Sequence, residues 1–260
     1  MDWTRLSQPP GSRVAVVGGA GAIGRKVVEA CLANEHKVAV LDLPRSLAAF
    51  PPPKACLTLP IDATDSKQIE AAFAKLDADW HALDALVFLV GFTITPPTKL
   101  DAISIEQWDD VIAGNLRTGY LVARSAVPLL MKGKDATIVN VSSGLGVSVL
   151  PGFGPYAAAK AGLIGLTKAL AVECGPRIRA NAVAPAAIET AFMKGGTGRQ
   201  DDMTDGAPPW FKTEEYARML PLQRVTTVDD VVGPVLFLMG PKSGFITGQT
   251  IHINGGRFMP

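Results

Sequence analysis

Tyr156 and Lys160 stand four residues apart in an Ala- and Leu-rich stretch, Tyr156-Ala157-Ala158-Ala159-Lys160. On a helix that spacing puts both side chains on one face. An ammonium beside a phenol favours the phenolate and draws a tyrosine pKa from about 10 toward working pH. Such a phenol is a usable general acid and base. Ser142 and Ser143 close the apolar run Thr137-Ile138-Val139-Asn140-Val141. A hydroxyl at the end of a buried strand can hydrogen-bond a substrate carbonyl oxygen. Taken singly, each residue has a plainer use: a packed tyrosine, a solvated lysine, a serine that caps a turn.

A second cluster lies near the start of the chain. Val17-Gly18-Gly19-Ala20-Gly21-Ala22-Ile23-Gly24 joins a β-branched run, Arg13 to Val17, to a segment with apolar residues at helical spacing (Ile23, Val27, Val28, Leu32). Glycines in such a turn let the backbone approach a pyrophosphate, and the helix start aims N–H groups at it. Asp42 ends the next apolar run, 18 residues beyond Gly24. That is close to the spacing of about 20 for a carboxylate that binds a ribose hydroxyl. An acid there accepts from a 2′-hydroxyl and repels a 2′-phosphate, so NAD(H) is expected over NADP(H). Arg45 lies close enough in sequence to soften that preference.

The elements that must position these groups alternate. Strands are expected at Arg13–Val17, Lys37–Leu41, Ala55–Ile61, Leu83–Val90, Thr137–Val141, Ile178–Val183 and Gln249–Ile253. Helices are expected at Ile23–Leu32, Ile69–Leu76 and Tyr156–Cys174. Leu83–Val90 is almost unbroken in apolar character, as in a strand covered on both faces. Repeated strand–helix–strand units imply right-handed crossovers and one α/β, doubly wound, Rossmann-type parallel sheet of about seven strands with helices on both faces. No linker or internal repeat divides residues 1–260, so a single domain is expected. Residues 191–215 break the rhythm with Gly195, Gly196, Gly198, Gly206, Pro208 and Pro209. Met193, Met203, Trp210 and Phe211 stand among them, which favours a substrate lid over a solvated insertion.

Composition narrows the classes. Hydrophobic residues make up 48% of the 260, enough for a sizeable core and against disorder. The net charge of +1 leaves no basic excess for nucleic acid. No run reaches the about 18 apolar residues of a membrane span, and the first ten residues hold no apolar stretch of signal-peptide type. Cys31, Cys56 and Cys174 are scattered, as are His36, His81 and His252, so neither a disulfide framework nor a metal site is expected. A reducing cytoplasm is the expected compartment.

The ordered set resembles the short-chain dehydrogenase/reductase family in its compact form, over essentially the whole chain. It comprises the glycine turn 18–24, Asp42, Asp62, Asn115, Val141-Ser142-Ser143, Tyr156 to Lys160, Asn181-Ala182-Val183-Ala184-Pro185, Thr247-Gly248-Gln249 and Asn254-Gly255-Gly256. The resemblance implies Tyr156 as the acid–base, with Lys160 lowering its pKa and holding the nicotinamide ribose. Ser143, rather than Ser142, would orient the substrate oxygen, and Asn115 would join a water-mediated proton relay. Gly18, Gly21, Ala22, Ile23, Gly24, Asp42, Leu43, Asp62, Ala63, Gly91, Pro185, Ile188 and Thr190 would border the dinucleotide, with Asp62 at the adenine and Ile188 and Thr190 at the carboxamide. A homotetramer or homodimer is implied, the tetramer using the long helices and the C-terminal segment. The chain departs from the family pattern at Val17 for Thr, Ala22 for the middle glycine, Pro185-Ala186 for Pro-Gly, and Phe88-Leu89-Val90-Gly91 for Asn-Asn-Ala-Gly.

The expected reaction is hydride exchange between a nicotinamide and a secondary alcohol or ketone, without metal. Expected pocket walls are Phe92, Ile94, Leu145, Val149, Leu150, Phe153, Phe192, Met193, Trp210 and Phe211. Residues 92–97 and 144–155 hold no Lys or Arg, so the substrate is expected to be uncharged and largely apolar. The alternatives are a retired dinucleotide-binding regulator, a lyase or epimerase on the same fold, and a 3-oxoacyl-type reductase acting on carrier-bound substrates.

Overall fold

The computed structural model of the protein describes residues 5–194 and 212–260. Seven parallel strands form one sheet in the order β3-β2-β1-β4-β5-β6-β7. They are β1 (Arg13–Val17), β2 (Lys37–Asp42), β3 (Leu57–Pro60), β4 (Ala85–Phe88), β5 (Ala136–Val141), β6 (Ile178–Pro185) and β7 (Thr250–Ile253). Val and Ile dominate the central strands, and β5 is buried at every residue. Side chains alternate between two covered faces.

One face packs on α1 (Ala22–Ala33) and α8 (Val228–Met239). Val14, Val16, Val38, Val40 and Val139 meet Val27, Val231 and Val235 there. The other face packs on α3 (Ser66–Trp80), α5 (Thr118–Leu130) and α6 (Gly154–Cys174). Leu86, Phe88 and Ile138 meet Phe73, Leu121, Val122 and Leu163 on that side. This is the expected doubly wound architecture. The strand order turns at the β1–β4 pair, where consecutive crossovers leave in opposite directions and open a crevice beyond the strand ends.

Some segments differ from the sequence expectation. β4 is four residues, because the chain leaves the ladder after Phe88 to line the crevice. α8 carries Val- and Leu-rich sequence and an internal Pro234, and its Thr227–Asp230 capping box decides for helix. The β2–β3 connection holds only a short α2 (Pro44–Ala49) before the prolines Pro51 to Pro53. Within the expected lid, Ala191–Lys194 forms a 3₁₀ turn and α7 (Thr213–Arg218) begins near its end. Met203, Trp210 and Phe211 lie outside the described residues.

The amino ends of the strands are clamped by a buried carboxylate. Asp84 accepts from the Arg13 backbone N–H (2.8 Å), Arg13 Nε (2.9 Å), Arg13 Nη2 (2.9 Å) and the Lys134 N–H (2.9 Å). Burial pushes this carboxyl up, but the bonds from Arg13 and Lys134 outweigh it and hold the pKa below its ordinary value. Asp84→Ala leaves those donors unsatisfied at the end of the sheet remote from the crevice. We expect a loss of about 2–4 kcal/mol in urea unfolding, with substrate and dinucleotide affinities unchanged.

Candidate active site

A cleft of about 990 Å³ runs along the carboxyl ends of the strands. Its first half is the turn between β1 and α1. Gly18 adopts φ +85°, and a side chain at Gly24 would collide with the Gly18 carbonyl. α1 therefore starts close against the strand end, with Gly21 as a cap that offers no side-chain hydrogen bond and no acid in the first turn. Its leading N–H groups are left for an anion, the donor set a pyrophosphate needs. Asp42 ends β2 beside them. Its Oδ2 accepts from the Ala20 N–H and its Oδ1 from the Leu43 N–H, both at 2.8 Å. Burial raises the Asp42 pKa, against those backbone donors. Asp62 is held by Thr64, whose N–H and Oγ1 bond its Oδ1 at 2.9 and 2.7 Å.

Every residue the sequence assigned to the dinucleotide lines this cleft, from Gly18 and Asp42 to Gly91, Pro185, Ile188 and Thr190. The residues present thus fit a nicotinamide dinucleotide.

The second half is built by β4, β5 and α6. Ser142 and Ser143 leave β5 with opposite tasks. Ser142 Oγ donates to the Lys160 carbonyl (2.8 Å) and ties strand to helix. Ser143 Oγ accepts from the Leu145 N–H (3.1 Å) and borders the cleft with the Tyr156 phenol. Lys160, one helical turn beyond Tyr156, places its Nζ 5.6 Å from the phenol ring centroid. That Nζ donates to the carbonyls of Val90 and Val141, each at 3.1 Å.

Asn115 does not line the cleft but sits behind Gly91. It belongs to a π-helical turn, Ala113–Arg117, between α4 (Ile105–Ile112) and α5. Such a bulge turns one side chain out of helical register, and here Asn115 is fully buried. Its Nδ2 donates to the carbonyls of Phe92 (2.9 Å) and Val111 (2.8 Å), and its Oδ1 accepts from the Phe92 N–H (3.2 Å). A Cβ at Gly91 would stand 2.8 Å from Lys160 Nζ and 2.9 Å from Asn115 Oδ1. Glycine is what lets those two groups face each other.

The spacing implied that Lys160 lowers the Tyr156 pKa, and burial works against that shift. In the structure burial pushes the phenol up to about 12, with Ser143 pulling the other way. Burial also takes the Lys160 ammonium down to about 7. Burial thus disfavours the charged form of each group.

On the substrate side, Leu145, Leu150, Phe153, Phe192 and Met193 line the cleft, and Phe192 packs its ring 5.4 Å from that of Tyr156. Ile94 instead packs behind Phe92 and Val111, and Val149 is exposed, so neither is a wall. Trp210, also expected here, lies outside the described residues. Sequence reasoning missed Arg25 and Phe50 at the dinucleotide end, where the guanidinium lies 3.9 Å over the ring. It also missed Tyr216, Met219 and Arg257 at the substrate end. Among the described residues no cluster of His, Cys, Asp or Glu could hold a metal, and no helix is long and apolar enough to cross a membrane.

A family model described as Enoyl-(Acyl carrier protein) reductase, adh_short_C2, matches residues 18–257. The chain belongs to the short-chain dehydrogenase/reductase family. Among curated relatives, the 3-oxoacyl-(acyl-carrier-protein) reductase FabG of Staphylococcus aureus (strain Mu50) is 36% identical over 199 residues, 76% of this chain and 75% of the relative. An uncharacterized oxidoreductase of Schizosaccharomyces pombe is 34% identical over 251 residues, 95% of this chain and 90% of its own. Among solved structures, ligand-free aldohexose dehydrogenase of Thermoplasma acidophilum superposes with TM-score 0.83 at 26% identity, covering 95% of this chain and 94% of that one. A short chain dehydrogenase of Leptospira borgpetersenii with bound NAD+ gives TM-score 0.83 at 27% identity, covering 100% and 98%.

The buried ammonium has a measurable signature. The unfolded chain keeps the Lys160 proton up to its ordinary pKa of 10.5, and the folded protein releases it near about 7. Between those values the unfolded state binds more protons, so this group makes stability rise with pH. Lys160→Met lacks the contribution. We expect the wild type to gain on the variant by up to about 1.4 kcal/mol per pH unit above neutrality, read from paired urea unfolding curves.

Proposed function

We propose that this family member is an NAD(H)-dependent oxidoreductase that interconverts a secondary alcohol and a ketone. The observation that carries the reading is convergence: Ser143, Tyr156 and Lys160 meet in the cleft whose other half is the glycine turn with Asp42. A bound nicotinamide dinucleotide supplies the hydride in ketone reduction and accepts it from the carbinol carbon in alcohol oxidation.

The side chains supply the rest. Ser143 and Tyr156 both direct O–H donors at the substrate oxygen, which stabilises the charge that develops on it. In reduction Tyr156 gives its proton to that oxygen, and in oxidation the phenolate takes the hydroxyl proton. Lys160 keeps a cation within reach of the phenol, and its bonds to Val90 and Val141 fix where that charge sits. Asn115 acts as a positioning residue: it fixes the Gly91–Phe92 backbone and presents Oδ1 toward Lys160, where a water can bridge a proton path.

Asp42 supports NAD(H) over NADP(H). Its carboxylate stands at the end of β2, where a 2′-phosphate would meet negative charge. Arg25 is held by the Ala20 carbonyl (2.9 Å) and Phe50, so it points along the turn rather than at Asp42. The part of the substrate that meets Tyr156 is uncharged and apolar, because Leu145, Phe153 and Phe192 enclose it. Residues 1–260 act as one domain. The work is done in the cytoplasm by a homotetramer or homodimer.

A second reading rests on the relatives named for 3-oxoacyl-carrier reduction. It requires an acyl thioester as substrate, and a panel that pairs simple ketones with pantetheine thioesters separates the two.

Tyr156→Phe removes the transferable proton and keeps the ring. We expect turnover to fall about 10²- to 10⁴-fold while NAD+ binding, followed by fluorescence, stays nearly unchanged. Retained turnover removes Tyr156 from the mechanism. Asp42→Asn should shift the NADP+ to NAD+ ratio of kcat/KM upward by about tenfold or more, measured with both cofactors on one alcohol.

A further inference from the structure

The substrate half of the cleft holds a guanidinium that the proposed reaction does not use. Arg257 follows β7 in a turn fixed by Asn254, whose carbonyl accepts from the Arg257 N–H (3.1 Å) and whose Nδ2 donates to the Phe258 carbonyl (2.8 Å). Phe258 in turn lies against Gly144, with ring carbons 3.3 Å from where a Cβ would be. Gly144 follows Ser143 directly, so this turn belongs to the substrate half and not to the dinucleotide half. The Arg257 guanidinium stands 5.5 Å from the ring centroid of buried Tyr216 and lines the same cleft as Tyr156.

Tyr216, Met219, Met193 and Phe192 line the same cleft. Among the described residues no carboxylate forms an ion pair with Arg257. The neighbouring arginines are engaged elsewhere, Arg218 with Glu214 and Arg224 with Asp230. Glu189 also borders the cleft, but it is an exposed residue at the rim. A half-buried cation without a counter-ion is costly until an anion meets it. An arginine backed by an aromatic face presents a planar fork that fits a carboxylate with two parallel bonds.

We propose that Arg257 binds a carboxylate on the substrate, remote from the reacting carbon and joined to it by an apolar chain or ring. The substrate is then a hydroxy or oxo acid rather than a wholly uncharged ketone. The inference rests on the oxidoreductase reading for its chemistry and on Arg257 alone for its anion. The carboxylate takes no part in bond making or breaking. It anchors the far end while the carbinol carbon lies against Tyr156 and Ser143. The charge-free loops 92–97 and 144–155 describe only the reacting end, and the cation arrives from the C-terminal turn.

The test uses the full chain as wild type, Arg257→Met and Arg257→Lys, each first shown to bind NAD+. Short- and medium-chain oxo acids are reduced alongside their methyl esters, and octanoate is titrated by calorimetry into the NAD+-saturated protein. The expected result is a lower KM for acids than for esters in the wild type. Arg257→Met raises the acid KM roughly 10- to 100-fold, with kcat and the ester kinetics unmoved, and Arg257→Lys restores part of the difference. Octanoate affinity falls in step. Equal kinetics for acids and esters in the wild type, or an equal loss on both in Arg257→Met, overturns the assignment. So does a preference for pantetheine thioesters that is indifferent to Arg257. If nothing is reduced yet octanoate binding still depends on Arg257, the anion site stands and the redox reading falls.

Discussion

Lys160 carries an ammonium into a buried position in the wall of the cleft, and much of the site follows from how it is accommodated. Its Nζ takes the carbonyls of Val90 and Val141, which lie just beyond the last β4–β5 pair, Phe88 with Asn140. At that point the two strands stop bonding to each other, and a single side chain from α6 satisfies both. The bridge fixes the spacing of the strand ends, hence the position of Gly91 on one side and of Ser142 and Ser143 on the other. Ser142 closes the loop by bonding back to the Lys160 carbonyl. Removing any member leaves a buried polar group without its partner, which costs more than the bond itself contributes.

The departure from the family pattern at 88–91 becomes intelligible on the same terms. Amides at the first two of those positions would brace the strand by hydrogen bonds. Here Phe88 is fully buried against Leu121, Val122 and Leu163, and Leu89 packs beside Gly18. When donor and acceptor are both exchanged for well-packed apolar groups, the net effect on stability can be close to neutral. What the site requires of this segment is backbone: the Leu89 N–H to the Val17 carbonyl, the Val90 carbonyl to Lys160, and the absence of a side chain at Gly91. All three survive the change of side chains.

The parts legible in the sequence were those set by local spacing. The glycine turn, Asp42 at a strand end, and Tyr156 four residues before Lys160 are each determined within one strand–helix unit, and the sheet follows from repeating that unit. The adjacent serines are a subtler case. Both border the cleft, but Ser142 spends its hydroxyl on the Lys160 carbonyl, which leaves Ser143 as the one beside Tyr156. Arg257 and Tyr216 were not legible because no local period links the C-terminal turn to α7. They meet only because the strand order delivers β7 next to β6. Phe50 reaches Arg25 because the β2–β3 connection is short, a fact about chain length between strands rather than about any motif.

Spacing is silent in one respect, and the reason bears on the chemistry. A lysine one turn from a tyrosine reads as an acidifying partner, yet spacing carries no information about solvent. Burial acts on both groups at once, and it disfavours phenolate and ammonium alike. In the proposed reaction a phenol held protonated suits proton donation in carbonyl reduction, whereas alcohol oxidation calls for the phenolate that burial disfavours, so the same desolvation bears unequally on the two directions.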